Sequence, residues 1–464
     1  MTRKSSGFRL SVIAFAACQF ISAQAFADDS AKTAELEKKL DQAMQQLKVL
    51  TDRINQLEAA KGQSVNGVAP AAVPTADQQK IIAQEERIKK LEQNAEQAAA
   101  ASADQTLADS QSAGVPLHGF ISVGYANLPK NPGLPKSGFQ MANVDFYMTP
   151  NFGDQLKALM ELNLEYTDQG VLTYDLERFE IGYTVNDMVN LWGGRFHTPF
   201  GEWNTAYHHG HYIQTSIDRP RFVAFEDQGG FMPSHTVGVM ESGTMRVNGG
   251  DRFSFDVFAG NGSRIIPASD GNNIGVSLGN QLEFNPKGDD NGSLAVGGRA
   301  SYVIGNTLTL GVHALSETVN TYDGSNVQQN STKVKFYGGF YFLEWNNWES
   351  IAEYYKFKNE NVSGPQGNTG THDSWAGFAQ LSYTFNNIWT PYVRTEKAAT
   401  DQTDYYFASL ESGRAYTRNV AGIRWDFNKS AALKFEFDRT HEKELLGLPD
   451  ENYNRTRVEL DAKF

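Results

Sequence analysis

Thr456-Arg457-Val458-Glu459-Leu460-Asp461-Ala462-Lys463-Phe464 ends the sequence, and it alternates strictly: Val458, Leu460, Ala462 and Phe464 are apolar, whereas Arg457, Glu459, Asp461 and Lys463 are charged. Successive side chains of a strand point to opposite faces, so this segment has one oily and one wet face. In a soluble sandwich the oily face needs a second sheet. In a closed barrel it meets lipid, and the charges line a water-filled lumen.

The same period of two recurs from Pro116 onward. Leu117, Ile121, Val123 and Tyr125 alternate with His118, Phe120, Ser122 and Gly124, and Leu156, Ala158, Met160, Leu162, Leu164 and Tyr166 with Lys157, Glu161, Asn163 and Glu165. Leu308, Leu310, Val312 and Ala314 continue the oily face, as do Leu433, Phe435 and Phe437 opposite Lys434, Glu436 and Asp438. Val334, Phe336, Phe340 and Phe342 are assigned to it as well.

Links between these segments are of two kinds. Short Asn- and Gly-bearing links fall at 151–154, 186–187, 248–251, 305–306, 346–347, 386–387 and 428–429. Both residue types tolerate the positive φ of tight hairpins. Longer polar segments lie near 128–137, 167–172, 198–234, 261–291, 317–331, 359–372, 398–414 and 441–452. Seven short and eight long links in alternation predict 16 antiparallel strands, with Gln281–Phe284 placed inside the fourth long loop. An even count puts both barrel ends on the short-turn side. Trp345, Trp348, Phe385, Trp389, Trp425 and Phe427 flank short turns, where interfacial aromatic rings belong.

Upstream of the strands the pattern differs. Arg3, Lys4 and Arg9 precede an apolar run from Leu10 to Ala17, and Ala25-Phe26-Ala27 offers small residues for cleavage, so residues 1–27 read as a signal peptide. That run is too short for a helical span, and no later stretch approaches the roughly 20 apolar residues one requires. The only cysteine, Cys18, lies within the signal, which leaves a secreted chain held without disulfides. Within residues 28–98, Leu36, Leu40, Ala43, Leu47, Leu50, Ile54 and Leu57 follow four-three spacing, a heptad seam that resumes after a linker at 62–76. A self-associating periplasmic stalk is expected there, then an Ala/Ser/Gln-rich hinge at 99–115. The predicted fold is an all-β transmembrane barrel over 116–464, preceded by an N-terminal α-helical coiled coil.

Composition excludes several functions. The net charge is −13, or −16 once Arg3, Lys4 and Arg9 leave with the signal; residues 116–464 hold 28 basic and 40 acidic side chains, a balance of −12. Nucleic acid is a poor partner for such a chain. Ser216, His211 and Asp218 lie close in sequence, but without a nucleophile elbow or oxyanion-hole signature, and there is no Gly-rich phosphate cradle. Neither catalysis nor a cofactor is expected.

Sixteen strands enclose a lumen wide enough for water, so selectivity should reside in whatever narrows it. The longest link, 37 residues from Thr198 to Ser234, follows the fifth strand. On it and the strand before it lie the candidate constriction residues Arg195, His197, Glu202, His208, His209, His211, Asp218, Arg219, Arg221, Glu226 and Asp227. Mixed charge at a waist sets a transverse field and a size limit. His208, His209 and His211, with His197 or Glu202, could ligate a transition metal, but their spacing fits no metal motif; shaping the loop and lining the path are the alternatives. Arg219 and Arg221 could bind an anionic solute or pair with Glu226 and Asp227. Arg299, Arg394, Arg418 and Arg424 are expected to face the lumen.

Gly194-Arg195-Phe196-His197-Thr198-Pro199-Phe200-Gly201 resembles the corresponding stretch of the phosphate-selective porin O and P family. That resemblance implies a trimeric outer-membrane channel whose third loop folds inward. The family's anion preference rests on basic ladders; here the barrel is acidic and the third loop has two arginines and no lysine, so phosphate selectivity does not carry over. The terminal Phe464 resembles the insertion signal of outer-membrane barrels, and a coiled coil before a barrel is similar to certain sugar porins and a siderophore-uptake porin family. The expectation is therefore a passive diffusion channel for small hydrophilic solutes or ions: a homotrimer in the lipid bilayer of a Gram-negative outer membrane. A siderophore or metal-chelate receptor and an envelope-tethering barrel are the alternatives.

Overall fold

The computed structural model describes residues 117–464 apart from 129–136, 151, 154, 167–171, 208–210, 227–228, 248–249, 268–279, 285–287 and 446. The expected signal peptide, stalk and hinge lie outside the described residues. The strands are β1 (Leu117–Asn127), β2 (Gly138–Met148), β3 (Leu156–Tyr166), β4 (Leu172–Asn186), β5 (Val189–His197), β6 (His235–Arg246), β7 (Arg252–Gly260), β8 (Arg264–Pro267), β9 (Asn280–Glu283), β10 (Ala295–Ile304), β11 (Leu308–Tyr322), β12 (Gln328–Trp345), β13 (Trp348–Ser363), β14 (Gly370–Tyr383), β15 (Trp389–Ala399), β16 (Tyr416–Asn428), β17 (Ala431–Glu442) and β18 (Glu451–Lys463).

Sixteen of them form one closed antiparallel barrel. β7 pairs directly with β10, Phe258 opposite Gly297, so the β8–β9 hairpin is an insertion in the fourth long connection, where Gln281–Phe284 was placed. β1 pairs with β18, Ile121 opposite Ala462, and the cylinder shuts. The last residue completes the seam: Gly119 N donates to Phe464 O and Phe464 N to Gly119 O, both at 3.0 Å. Closure leaves no edge with unpaired backbone groups, the condition for crossing hydrocarbon with strands.

Turn chemistry acts where the sequence placed it. Asn346, Asn386 and Asn387 hold φ of 53°, 53° and 57°, values that Asn accepts more readily than other non-Gly residues. Asn186 Oδ1 accepts from Met188 N and Val189 N at 2.9 and 3.0 Å and so closes the β4–β5 hairpin. Around these turns the rings gather: Trp389 stacks on Trp425 at 5.1 Å, and Trp425 tilts against Phe427 at 5.3 Å.

Two expectations need correction. Most of 317–331 and 359–372 is strand, leaving only 323–327 and 364–369 as connections. Polar side chains do not stop a ladder, because its hydrogen bonds come from the backbone, so these polar stretches continue as strand. Val334, Phe336 and Phe340 face inward, all buried, while Lys333, Lys335 and Tyr337 point outward. The long third loop brings an apolar surface into the lumen at this sector, which inverts the usual polarity of the two faces. On β1, β3, β11, β17 and β18 the outward face is the oily one expected.

Deleting Phe464 removes both seam bonds, at about 1 kcal/mol net each, together with its edge contact to Phe146 at 6.0 Å between ring centroids. The folded fraction after refolding into detergent, read by heat-modifiable gel mobility, should fall, and the survivors should melt at lower temperature.

Candidate functional site: a loop packed inside the barrel

The described parts of the third loop, 198–207, 211–226 and 229–234, pack inside the barrel between β5 and β6. Their entry is fixed by glycine. At Gly194, with φ +134°, an added Cβ would stand 2.0 Å from Phe179 O; at Gly201, with φ +60°, it would stand 2.3 Å from Tyr355 Oη and 2.4 Å from Glu353 Oε2. Both backbones approach the wall too closely for any side chain. The short helix α1 (Trp203–Ala206) then starts on Glu353, whose Oε1 accepts from Glu202 N at 2.8 Å and Trp203 N at 2.6 Å while Tyr355 Oη donates to Oε2 at 2.6 Å. Gly201 N donates to His313 Nδ1 at 3.1 Å.

One half of the loop is oily. Phe200, Trp203, Phe222, Val223, Phe231 and Met232 form a buried cluster with Phe336, Tyr355, Phe357 and Phe378 of β12–β14 and with Tyr406 and Phe407 of a second short helix, α2 (Tyr405–Ser409). Edge contacts at 5.9 Å for Phe200–Tyr355 and 5.3 Å for Phe231–Phe407 give the aromatic packing its geometry. Tyr406 Oη donates to Phe231 O at 2.5 Å.

The other half is charged. Asp218 accepts from Arg457, lies 3.1 Å from Arg418 and 3.6 Å from Arg455, and so joins the loop to β16 and β18. Arg394 donates to Ser216 Oγ at 2.8 Å and Asp218 O at 3.0 Å; Arg424 donates to Tyr212 O at 2.6 Å and Gln214 O at 2.9 Å; Lys434 donates to His211 O at 2.5 Å and Ser216 O at 3.1 Å. Carboxylates take the amides: Glu436 accepts from Ile217 N at 3.1 Å and Glu396 from Arg221 N at 2.8 Å.

These surroundings shift the loop's titrations. Burial would raise the Asp218 carboxyl, but Arg457, Arg418 and Arg455 outweigh it and hold it well below the carboxylate range. Burial would lower the His211 imidazole, but Glu459 at 2.9 Å prevails and raises it to about 9. Burial brings Arg219 down to about 10 and raises Glu202 against the pull of Arg299.

The sequence candidates divide as follows. Glu202, His211, Asp218, Arg219, Arg221 and Glu226 lie on the inward loop, and Arg299, Arg394, Arg418 and Arg424 meet it from the wall. Arg195 stays on the wall, paired with Asp175 at 2.9 Å and Glu177 at 3.3 Å. His208, His209 and Asp227 lie outside the described residues. The expected pairing of Arg219 and Arg221 with Glu226 does not form: Arg221 reaches Glu442, Arg219 lies 3.9 Å over the Phe225 ring and donates to Asn204, and Glu226 holds His235 at 3.0 Å. His197 and Glu202 do not gather around His211; His197 adjoins His235, ring centroids 5.1 Å apart, and Glu202 pairs with Arg299.

His211, Glu459 and Asp461 do offer three donor atoms within 4.8 Å of one another. A cation already sits among them, since Lys434 Nζ is 2.9 Å from Asp461. Sequence reasoning did not single out Glu353, Glu396, Glu436, Arg455 or Lys434 as loop anchors. Alternation puts Lys434 and Glu436 on the wet face, but which loop atom each anchor meets depends on long-range closure.

No protein-family model matches the chain, and no curated protein matches it. Among solved structures, the anion-selective porin from Comamonas acidovorans is similar over 76% of this chain and 99% of that one, at 14% identity and TM-score 0.47. OmpT, an outer membrane protein of Vibrio cholerae, matches over 75% and 97% at 10% identity and TM-score 0.48. The outer membrane channel DcaP of Acinetobacter baumannii matches over 75% and 97% at 11% identity and TM-score 0.43.

Because the folded His211 value lies above the ordinary 6.5, its pairing stabilises the loop fully below about pH 6.5 and is lost as pH rises through about 9. Current through the barrel in a planar bilayer should become noisier between pH 6.5 and 9.5 as this tether weakens. His211→Gln should be noisy throughout, with the pH dependence gone.

Proposed function

We propose that this chain is an outer-membrane porin, a passive diffusion channel for small hydrophilic solutes or ions. The observation that carries the reading is a closed wall with opposite solvents on its two faces. Outward Ile121, Val123, Leu310, Val312, Leu381, Val393, Phe435 and Leu460 are exposed, whereas inward Glu161, Glu353, Arg394, Arg418, Lys434, Glu436 and Asp461 are buried against the lumen's own contents. An apolar surface that encircles the molecule is unsuited to water and suited to a bilayer. The loop crossing the lumen supplies the constriction.

The charge arrangement favours weak selectivity over a dedicated anion path. Arg394, Arg418, Arg455 and Arg457 stand among Asp218, Glu396, Glu436 and Asp438, so cations on this wall are matched by carboxylates. Phosphate specificity has no unpaired ladder to rest on here. A metal-chelate receptor is the weaker reading, since His211 is engaged by Glu459. Trimeric assembly and a periplasmic helical stalk complete the proposal; a sample that migrates as a trimer before heating and as a monomer after would agree with the first.

Folded protein added to a planar bilayer should give stepwise conductance, and silence across salts and voltages would overturn the reading. In a salt gradient the wild type should show a small reversal potential. Asp218→Asn removes one negative charge and leaves three arginines at the site, so the potential should shift toward anion preference.

A further inference from the structure

The outward face of β12–β15 departs from the rest of the wall. Lys333 and Lys335 on β12, Lys356 and Lys358 on β13 and Lys397 on β15 all point away from the lumen, each alternating with buried inward residues. This is a basic patch on an acidic barrel. Lys333 is matched by Glu360 at 3.2 Å and Lys356 by Asp373 at 2.9 Å. Lys335 and Lys397 form no ion pair among the described residues, and Lys358 stands opposite Asp373 on β14, a carboxylate already held by Lys356. The register on either side, Lys333 with Glu360 and Phe336 with Phe357, sets Lys335 opposite Lys358. Like charges across a ladder repel, and the five lysines of this patch face two carboxylates, Glu360 and Asp373.

Their height is informative. Lys335 lies ten residues along β12 from Trp345, and Lys358 ten along β13 from Trp348, while Trp345 and Trp348 pair at the short turn. At about 3.3 Å per residue and a tilt of about 40°, this is about 25 Å of height, the thickness of the apolar band of such barrels. Just below the lysines is an upper ring of aromatics, Tyr337, Tyr354 and Trp375, with Tyr354 and Trp375 stacked at 6.0 Å and Lys397 Nζ 5.4 Å over the Trp375 ring. Lys335 and Lys358 therefore stand at headgroup level on the long-loop side, and Lys397, opposite Gly377, extends toward them over the Trp375 ring.

Beneath them the wall is hollowed. A groove of about 530 Å³ runs over Gly339, Ala352, Gly377 and Ala379, with Tyr354 and Lys397 at its edge. Small residues on adjacent strands leave a furrow where neighbouring sectors carry Leu, Val and Phe. A furrow of hydrocarbon character ending at five lysines that share two carboxylates, Glu360 and Asp373, matches an acylated, phosphorylated molecule.

We propose that this wall holds one phosphate-bearing glycolipid of the outer leaflet, its phosphate shared by Lys335, Lys358 and Lys397 and an acyl chain laid in the groove over Gly339, Ala352, Gly377 and Ala379. The site rests on the reading of the chain as a membrane barrel, and it concerns the wall rather than the lumen.

The test is native mass spectrometry of the full chain folded in detergent, titrated with bisphosphorylated hexa-acyl lipid A and with the same lipid dephosphorylated. Lys335→Gln/Lys358→Gln/Lys397→Gln should weaken binding of the phosphorylated lipid about 100-fold, at about fivefold per lysine near a charged surface. Removing the phosphates should weaken wild-type binding comparably. Ala379→Leu should fill the groove and weaken it several-fold with the charges intact, and Arg439→Gln, outward on β17, should change nothing. A triple variant that binds phosphorylated lipid as tightly as wild type overturns the site. So does one that changes oligomer mass while lipid binding is unchanged, since the patch would then be a contact between copies. Conductance recorded on the same samples separates the two readings: it should persist in every variant, and a silent wild type would strike at the porin reading alone.

Discussion

A backbone that crosses hydrocarbon has to satisfy every amide and carbonyl within itself, because no water is there to do so. In this chain the requirement is met laterally, strand to strand, around a ring that ends where it began, at Gly119 and Phe464. Much of the rest follows from that closure. It imposes the period of two, because only alternate side chains can face the bilayer, and it creates an interior that has to be filled or left wet. It also allows an acidic chain to suit a bilayer, since Glu161, Glu353, Arg394, Arg418, Glu436 and Asp461 sit on the inward face.

The same accounting explains the loop. Residues 198–234 are largely irregular, and irregular backbone enclosed in a barrel brings its own unpaired amides and carbonyls. The wall answers with side chains of matching type: Glu353, Glu436 and Glu396 accept from loop amides, and Arg394, Arg424 and Lys434 donate to loop carbonyls. Both signs of charge are needed inside for this reason, before any role in permeation. The oily half of the loop uses the other solution, apolar contact with β12–β14, and reverses the polarity of those inward faces to obtain it.

This division decides what could be read from the sequence. The strands were legible because alternation and Asn turns are local: Leu156 to Tyr166, or Asn386-Asn387, carry their structure within a few residues. Strand lengths were less so, since Val319 and Thr332 lie in polar surroundings yet continue a ladder that depends on the neighbouring strand. The inward turn of Phe336 was not legible at all. An apolar alternating strand fits lipid outside or a loop inside equally well, and only the arrival of Phe200, about 136 positions away in sequence, settles it. The candidate site showed the same limit. Residue types on the loop were apparent, but Arg221 to Glu442 and His211 to Glu459 join positions more than two hundred residues apart.

Charge composition, finally, is a poor guide to what the lumen presents. Arg418 has Asp218, Glu396, Glu436 and Asp438 all within 4 Å, and Asp218 has three arginines. Groups held this tightly act as one nearly neutral body, fixed in place, and their attraction for a passing ion is a small difference between large opposed terms. Net charge over the whole barrel therefore sets solubility and long-range steering, whereas preference at the waist is set by whichever member of the cluster is least compensated. A single substitution that unbalances the cluster moves that preference more than many charges placed elsewhere on the barrel.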